Sequence, residues 1–266
     1  MKRSTRTLLD RAEARLRTLA TRLSALLDRI FAIRPARAVM REQSRNLKRG
    51  LERRALEDTL DYIEQRMLHA PIFASRWVLL DHALELVAGQ DGLVLEFGVA
   101  AGESINFIAT RIQRSIYGFD SFDGLPENWG TEHRAGTFRQ AGLPKVASNV
   151  TLVAGNFATT LPAFVARHAQ HSLALAHIDC DLYTSTSCVL AALDPLLAPG
   201  TLLLFDEYFN YPGWRHHEFR AWQEFCEQKA IDYDYVGFAE RGRQVLLRIV
   251  DRRSTREPLE QADSMT

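Results

Sequence analysis

Gly92-Leu-Val-Leu-Glu-Phe-Gly-Val-Ala-Ala-Gly-Glu-Ser104 decides how the chain is read. Its first half is a short apolar run of the kind that forms a strand buried on both faces. Its second half is a glycine-bearing turn opening a helical pattern over residues 104–112, so the segment reads strand, turn, helix. Outward from it, further strand candidates stand at residues 115–120, 150–153, 173–179 and 201–206, with helical patterns at 161–169 and 186–197. That alternation predicts a Rossmann-like α/β fold, a doubly wound and mostly parallel sheet with helices on both faces. Two helical stretches, 56–67 and 75–88, precede it and one at 217–228 follows. Residues 233–239 and 244–250, joined only by Glu240-Arg-Gly-Arg243, predict an antiparallel C-terminal strand pair.

The chain has 266 residues, 46% hydrophobic and 25% charged, enough for one full-sized α/β domain and an appendage. Its three cysteines, Cys180, Cys188 and Cys226, form no C-x-x-C or Cys/His cluster, which points away from a disulfide framework or a zinc site. A reducing compartment fits that usage, and no continuous apolar run offers a signal-peptide core or a membrane span, so a cytoplasmic location is expected.

The zero net charge hides an asymmetry, because residues 1–54 carry 16 Lys+Arg against 5 Asp+Glu. Within that basic extension Leu9, Leu16, Leu23 and Ile30 fall seven apart, each followed three later by Ala12, Leu19, Leu26 and Ile33. This a/d seam predicts an amphipathic helix able to form a coiled coil, hence a homo-oligomer, with packing on its own domain as the alternative. Aromatic residues do not interleave with the arginines, so nucleic acid is not an expected partner; contact with an anionic membrane surface is the other use of such a helix. The reading divides the chain into a basic helical extension (1–55), an α/β domain (56–250) and a polar tail (251–266).

In open parallel sheets ligands bind beyond the carboxyl ends of the strands, so the residues just past each strand carry the functional reading. The first strand runs into Glu96-Phe-Gly98-Val-Ala-Ala-Gly102-Glu-Ser104, an E-x-G-x-x-x-G turn whose glycines admit close backbone approach and whose helix supplies N–H donors. A dinucleotide pyrophosphate calls for the tighter G-x-G-x-x-G; S-adenosylmethionine (SAM) has no phosphate and fits the looser spacing. The second strand ends at Asp120, beside Ser121, where a carboxylate can accept both ribose hydroxyls of a nucleoside. The third ends at Gly155-Asn156-Phe157, where an amide and a ring can flank an adenine.

The remaining strand ends are acidic: Asp179 in His177-Ile-Asp-Cys-Asp-Leu-Tyr183, then Asp206-Glu207. Carboxylates converging on one rim repel unless a cation neutralises them, and oxygen donors favour Mg²⁺ or a similar hard ion. Two other readings stand beside this one. Asp179 or Asp181 can cap the following helix, and Asp179-Cys180-Asp181 is also a D-x-D, the metal-holding pattern of many glycosyltransferases. A non-catalytic, oligomerising nucleoside-binding module is a third possibility.

Residues 95–104, 117–126 (Tyr-Gly-Phe-Asp-Ser-Phe-Asp-Gly-Leu-Pro), 177–183 and 206–208 together resemble the macrocin O-methyltransferase (TylF/MycF-like) family of class I SAM-dependent methyltransferases. The resemblance spans roughly residues 63–249 and leaves the basic extension outside. It implies that Glu96, Gly98, Gly102, Ser104 and Asp120 hold SAM, that Asp179, Asp206 and Glu207 bind Mg²⁺, and that the acceptor is a hydroxyl of a sugar or glycosylated small molecule. Many family members carry Asp-Asp where this chain has Asp206-Glu207. For a general base, His133 ranks first, ahead of Lys145, His216 and His217; His133 and Lys145 lie on the long connection 121–149, the length of a lid or binding loop.

Overall fold

The computed structural model describes residues 46–130 and 133–252, with positions 18, 19, 21–23 and 26 before them. The heptad seam of residues 7–34 as a whole, the connector to residue 45 and residues 253–266 of the tail lie outside the described residues. By its internal contacts the chain divides into Met1–Arg54 and Ala55–Thr266. The sheet belongs to the second unit.

A helix, α1 (Leu47–Arg66), leads into a two-residue strand, β1 (Ile72–Phe73), and α2 (Arg76–Val87). Ser75 caps α2 by accepting a hydrogen bond from the Val78 N–H at 3.4 Å. The alternation then runs β2 (Leu93–Phe97), α3 (Glu103–Ala109), β3 (Ile116–Asp120), β4 (Val150–Ala154), α4 (Phe157–Arg167), β5 (Leu173–Ile178), α5 (Tyr183–Leu193) and β6 (Leu202–Phe205). Helix α6 (Glu218–Lys229) and the pair β7 (Ile231–Ala239) and β8 (Val245–Arg252) close the described chain.

The eight strands form one sheet in the order β1-β7-β8-β6-β5-β2-β3-β4. Strands β2 to β6 pair parallel, whereas β8 runs antiparallel to both β6 and β7. This is the Rossmann-like, mostly parallel sheet with an antiparallel C-terminal pair that the alternation predicts. Strand β1 was not expected; two residues carry no readable period, and it is held by parallel pairing with β7.

Successive strand residues serve opposite faces. Leu95 and Phe97 of β2 join Leu203 and Phe205 of β6 in a core with Trp222 and Phe225 of α6 and Leu190 of α5. Val94, Leu202 and Leu204 join the other core, under Leu80 and Leu84 of α2 and Ile105 and Ile108 of α3. Burying both faces is what makes β2 an apolar run, interrupted only by Glu96.

Two features position the site. The chain leaves β2 toward β3 on one side and returns through β5 on the other, so the crevice at the β2/β5 boundary is the topological switch point. The long connection over 121–149 folds over it. Its backbone is tied by Leu125 N–H to Thr137 O and Gly136 N–H to Leu125 O, both 2.9 Å, and by an isolated antiparallel bridge between Trp129 and His133. Among the described residues no helix is long and apolar enough to cross a membrane.

Candidate active site

A cavity of about 420 Å³ opens at the switch point, within the size range of small-molecule sites. One wall is the turn after β2. Gly98 has φ +94° and Gly102 +82°, with Ala100 also left-handed at φ 44°, so the backbone doubles back before α3 begins. Asp120, at the end of β3, holds this turn in place: one carboxylate oxygen accepts from Ala100 N–H and the other from Phe122 N–H, each at 2.7 Å. Gly98, Ser104, Asp120, Ser121 and Asn156 all line the cavity. Asn156 also caps α4 through Ala158 N–H, at 3.2 Å.

Two of the residues expected to hold SAM are elsewhere. Glu96 is fully buried beneath the cavity, where it accepts from Ser104 Oγ at 3.1 Å and meets His177 Nδ1 at 3.0 Å. As the lone acid of an otherwise apolar strand it needs such partners. Gly102 is buried at the start of α3, against Pro144, and is not part of the lining.

The opposite wall is acidic. Among the described residues, His177, Asp179 and Asp206 bring one potential ligand atom each within 4.8 Å of one another. Asp206 is almost fully buried; its Oδ2 accepts from Arg76 Nη1 at 3.3 Å and Gln244 Nε2 at 3.1 Å, and its Oδ1 lies 3.5 Å from His177 Nε2. Arg76 also approaches Asp179, at 3.8 Å. Glu207 is not in this close group. It lines the cavity, but its carboxylate is engaged by Arg243 Nη1 at 2.7 Å. His177 takes the third place.

The helix-capping alternative also falls, because the N-cap of α5 is Leu182, with no side-chain cap bond. Asp181 instead sits in a left-handed conformation, φ 62°, on the cavity wall. None of the expected bases lines the cavity. His133 stacks on Trp129 with ring centroids 5.0 Å apart, Lys145 and His216 are exposed, and His217 packs against Trp129 and Tyr211. Arg76, Trp129 and Phe138 line the cavity without having been singled out from the sequence. Arg76 opens a helix 130 residues before Asp206, and nothing in its neighbours marks it.

Electrostatics follow from this crowding. Burial pushes Asp181 up to about 7, with Asp206 adding to the rise, and burial pushes Glu207 up to about 8 although Arg243 pulls against it. Asp179 is raised well above the usual carboxylate range by burial and by Asp206. Asp206 is the charged member of that pair: burial opposes its ionisation, but His177 and Arg76 hold it below its ordinary value. For His177 burial favours the neutral ring, yet Asp206 and Glu96 overcome it and raise the imidazole to about 10. Burial pushes Glu218 up as well, and the backbone N–H of Glu207 that it accepts pulls the other way.

A pH dependence of stability follows. Asp181 and Glu207 favour folding in their protonated forms, a contribution present near pH 4 and lost as pH rises to about 7 and about 8. The His177 contribution is complete below 6.5 and is lost as pH rises through about 10. All three weaken the fold between pH 6.5 and 7, and Glu207 and His177 continue to do so up to 8, so the melting temperature in EDTA should fall across that window, and a flat or rising profile would contradict the assignment.

The oxygen donors at this wall are the kind that suits Mg²⁺. Burial together with mutual repulsion raises Asp179, Asp181, Glu207 and Glu218, and a cation at this wall would relieve that repulsion and favour their ionised forms.

Residues 95–208, from β2 to just past β6, match the family model described as a methyltransferase domain. These residues are similar to a methyltransferase domain. Over 169 residues the chain is 27% identical to the 8-demethyl-8-(2,3-dimethoxy-alpha-L-rhamnosyl)-tetracenomycin-C 4′-O-methyltransferase of Streptomyces olivaceus, covering 53% of this chain and 62% of that protein. The chain thus spans about three fifths of that curated relative's length. Among solved structures, CalS11, a calicheamicin methyltransferase, is 26% identical with a TM-score of 0.54, over 65% of this chain and 77% of its own. The O-methyltransferase NovP, 23% identical with a TM-score of 0.50 over 66% of this chain and 80% of its own, shares the fold. The matched stretch includes residues of both cavity walls, the glycine turn and the acids alike. The glycosyltransferase reading of Asp179-Cys180-Asp181 finds no support in these matches.

Proposed function

We propose that the chain transfers the methyl group of SAM to a hydroxyl of a sugar or glycosylated small molecule, with Mg²⁺ or a similar cation at Asp179 and Asp206. The observation carrying this reading is that one cavity joins the Gly98 turn and Asp120 to a paired-carboxylate wall. The relatives' names, which include a rhamnosyl-tetracenomycin 4′-O-methyltransferase, support the choice of acceptor. The resemblance to the macrocin O-methyltransferase family is the finer form of the same proposal.

On this reading Gly98, Ser104, Ser121 and Asn156 enclose the nucleoside and methionine parts of SAM, and Asp120 accepts its ribose hydroxyls. The cation supplies positive charge that favours loss of the acceptor's hydroxyl proton. Arg76 holds Asp206 ionised and oriented, and Asp179, on the cavity wall, would take the proton as the C–O bond forms and the C–S bond breaks. The products are a methyl ether, S-adenosylhomocysteine and a proton. Holding the oxygen in line with the methyl–sulfur bond is the largest service of such a site, about 7–11 kcal/mol in well-oriented reactions. The aromatic lid, Trp129 and Phe138, excludes water from the reacting atoms.

Thermal denaturation tests the cofactor. At a hundred times its dissociation constant SAM or S-adenosylhomocysteine adds about 2.7 kcal/mol, a rise of roughly 5–10 °C in melting temperature for a domain of this size. A shift with NAD or a nucleotide-sugar, and none with either sulfur nucleoside, would overturn the reading.

A further inference from the structure

Strands β5 and β6 stay in register up to Ile178 and Phe205, and the last backbone bond across them is Asp206 N–H to Ile178 O at 2.9 Å. Beyond that point the turns carrying the acids have no ladder to fix their separation. The Glu218 side chain takes its place. Glu218 is fully buried at the first turn of α6; one of its oxygens accepts from Cys180 N–H at 3.3 Å and Asp181 N–H at 3.1 Å. The other accepts from Glu207 N–H at 2.9 Å. One carboxylate therefore holds the turn after β5 and the turn after β6 at once. Helix α6 makes a firm anchor for it, since Trp222 and Phe225 are sunk in the core.

We propose that Glu218 is a positioning residue which sets the spacing of the Asp179 and Asp206 turns, and with it cation affinity. The inference rests on the proposed function for its second half, since it takes those turns to hold the cation. The acceptor count makes Glu218 hard to replace. An amide offers one acceptor oxygen and turns an NH₂ toward a backbone N–H, so Glu218→Gln keeps one turn and repels the other. Glu218→Asp keeps the carboxyl group but is a methylene short of bridging both. A purely structural role would weaken everything in proportion. A positioning role predicts a split, because Gly98 and Asp120 make no contact with Glu218 in its hydrogen-bonded network.

The test uses the full chain and Mn²⁺, read from the free-ion electron paramagnetic resonance signal, beside calorimetric SAM titration. Glu218→Gln and Glu218→Asp should weaken Mn²⁺ binding roughly tenfold to a hundredfold and leave SAM affinity within about twofold. Phe225→Leu, a core change on the same helix, should destabilise the fold without producing the split. Parent-like Mn²⁺ affinity in both Glu218 variants, equal loss of Mn²⁺ and SAM binding, or the same split in Phe225→Leu would overturn the proposal. Should neither Glu218 variant fold, deuterium exchange in the parent decides: slow amides at Asp181 and Glu207 support the bridge, and exchange at the free-chain rate overturns it. A parent that binds neither SAM nor Mn²⁺ overturns the proposed function instead, and amide exchange then decides whether the bridge exists.

Discussion

Gly98→Ala should abolish SAM binding and destabilise the domain by more than about 4 kcal/mol, in the range reserved for severe backbone conflicts. A Cβ there would stand 1.7 Å from the carbonyl oxygen of Asp179 and 2.7 Å from its carbon, and φ is +94° besides. The obstacle is backbone of the neighbouring strand end, so no rotamer change relieves it; the β2 turn and the β5 turn must separate. Two other glycines calibrate the effect. Gly118→Ala meets Ile105 Cδ1 and Val99 Cγ2, ends of buried side chains rather than backbone, an overpacking of about 1–3 kcal/mol. Gly102→Ala meets Pro144 Cβ at 3.2 Å at φ +82°, a strain of about 1–2 kcal/mol. Urea denaturation of the three variants should rank Gly98 far above both, and parent-like stability of Gly98→Ala would contradict the geometry.

Asp206→Asn should lower methyl transfer by at least roughly a hundredfold, the scale seen when one fixed electrostatic partner of a transition state is removed, while SAM affinity stays within about twofold. The substitution removes the charge shared by His177, Arg76 and Gln244 and leaves the cations with one acid fewer. Breaking a buried charge cluster in this way also costs about 3–5 kcal/mol of stability, so turnover must be compared at a temperature where SAM binding shows the variant folded. EDTA should reproduce the loss in the parent, and Mg²⁺ should restore it. Full turnover in EDTA, or in Asp206→Asn, would remove the cation from the mechanism and leave the cofactor reading standing.

The sheet was readable because both of its faces are buried: Leu93–Phe97 and Leu202–Phe205 are apolar at nearly every position, and turns bound them. The rim acids were readable for a related reason, since a parallel sheet delivers every strand's carboxyl end to one edge. What the sequence hid came from other directions. Arg76 and Glu218 enter from the first turns of helices, outside the strand-end rule, and each looks like any charged helix-start residue. The place of Glu96 was not readable because an acid next to a glycine turn reads the same whether it faces the cavity or, as here, a buried imidazole. The pairing of Glu207 with Arg243 depends on a hairpin 36 residues further on, which no local pattern announces.

The segment matching the methyltransferase family, residues 95–208, is not a transplantable cassette. Asp206 leans on Arg76 before it and Gln244 after it, Glu207 on Arg243, and both acid turns on Glu218. A chimera exchanging only that stretch for a homologue's would bring new acids into a foreign set of counter-charges and lose the bridge between the turns. Recombination in this scaffold therefore cannot follow the matched stretch: the acid wall travels only with α2, α6 and the β7–β8 hairpin.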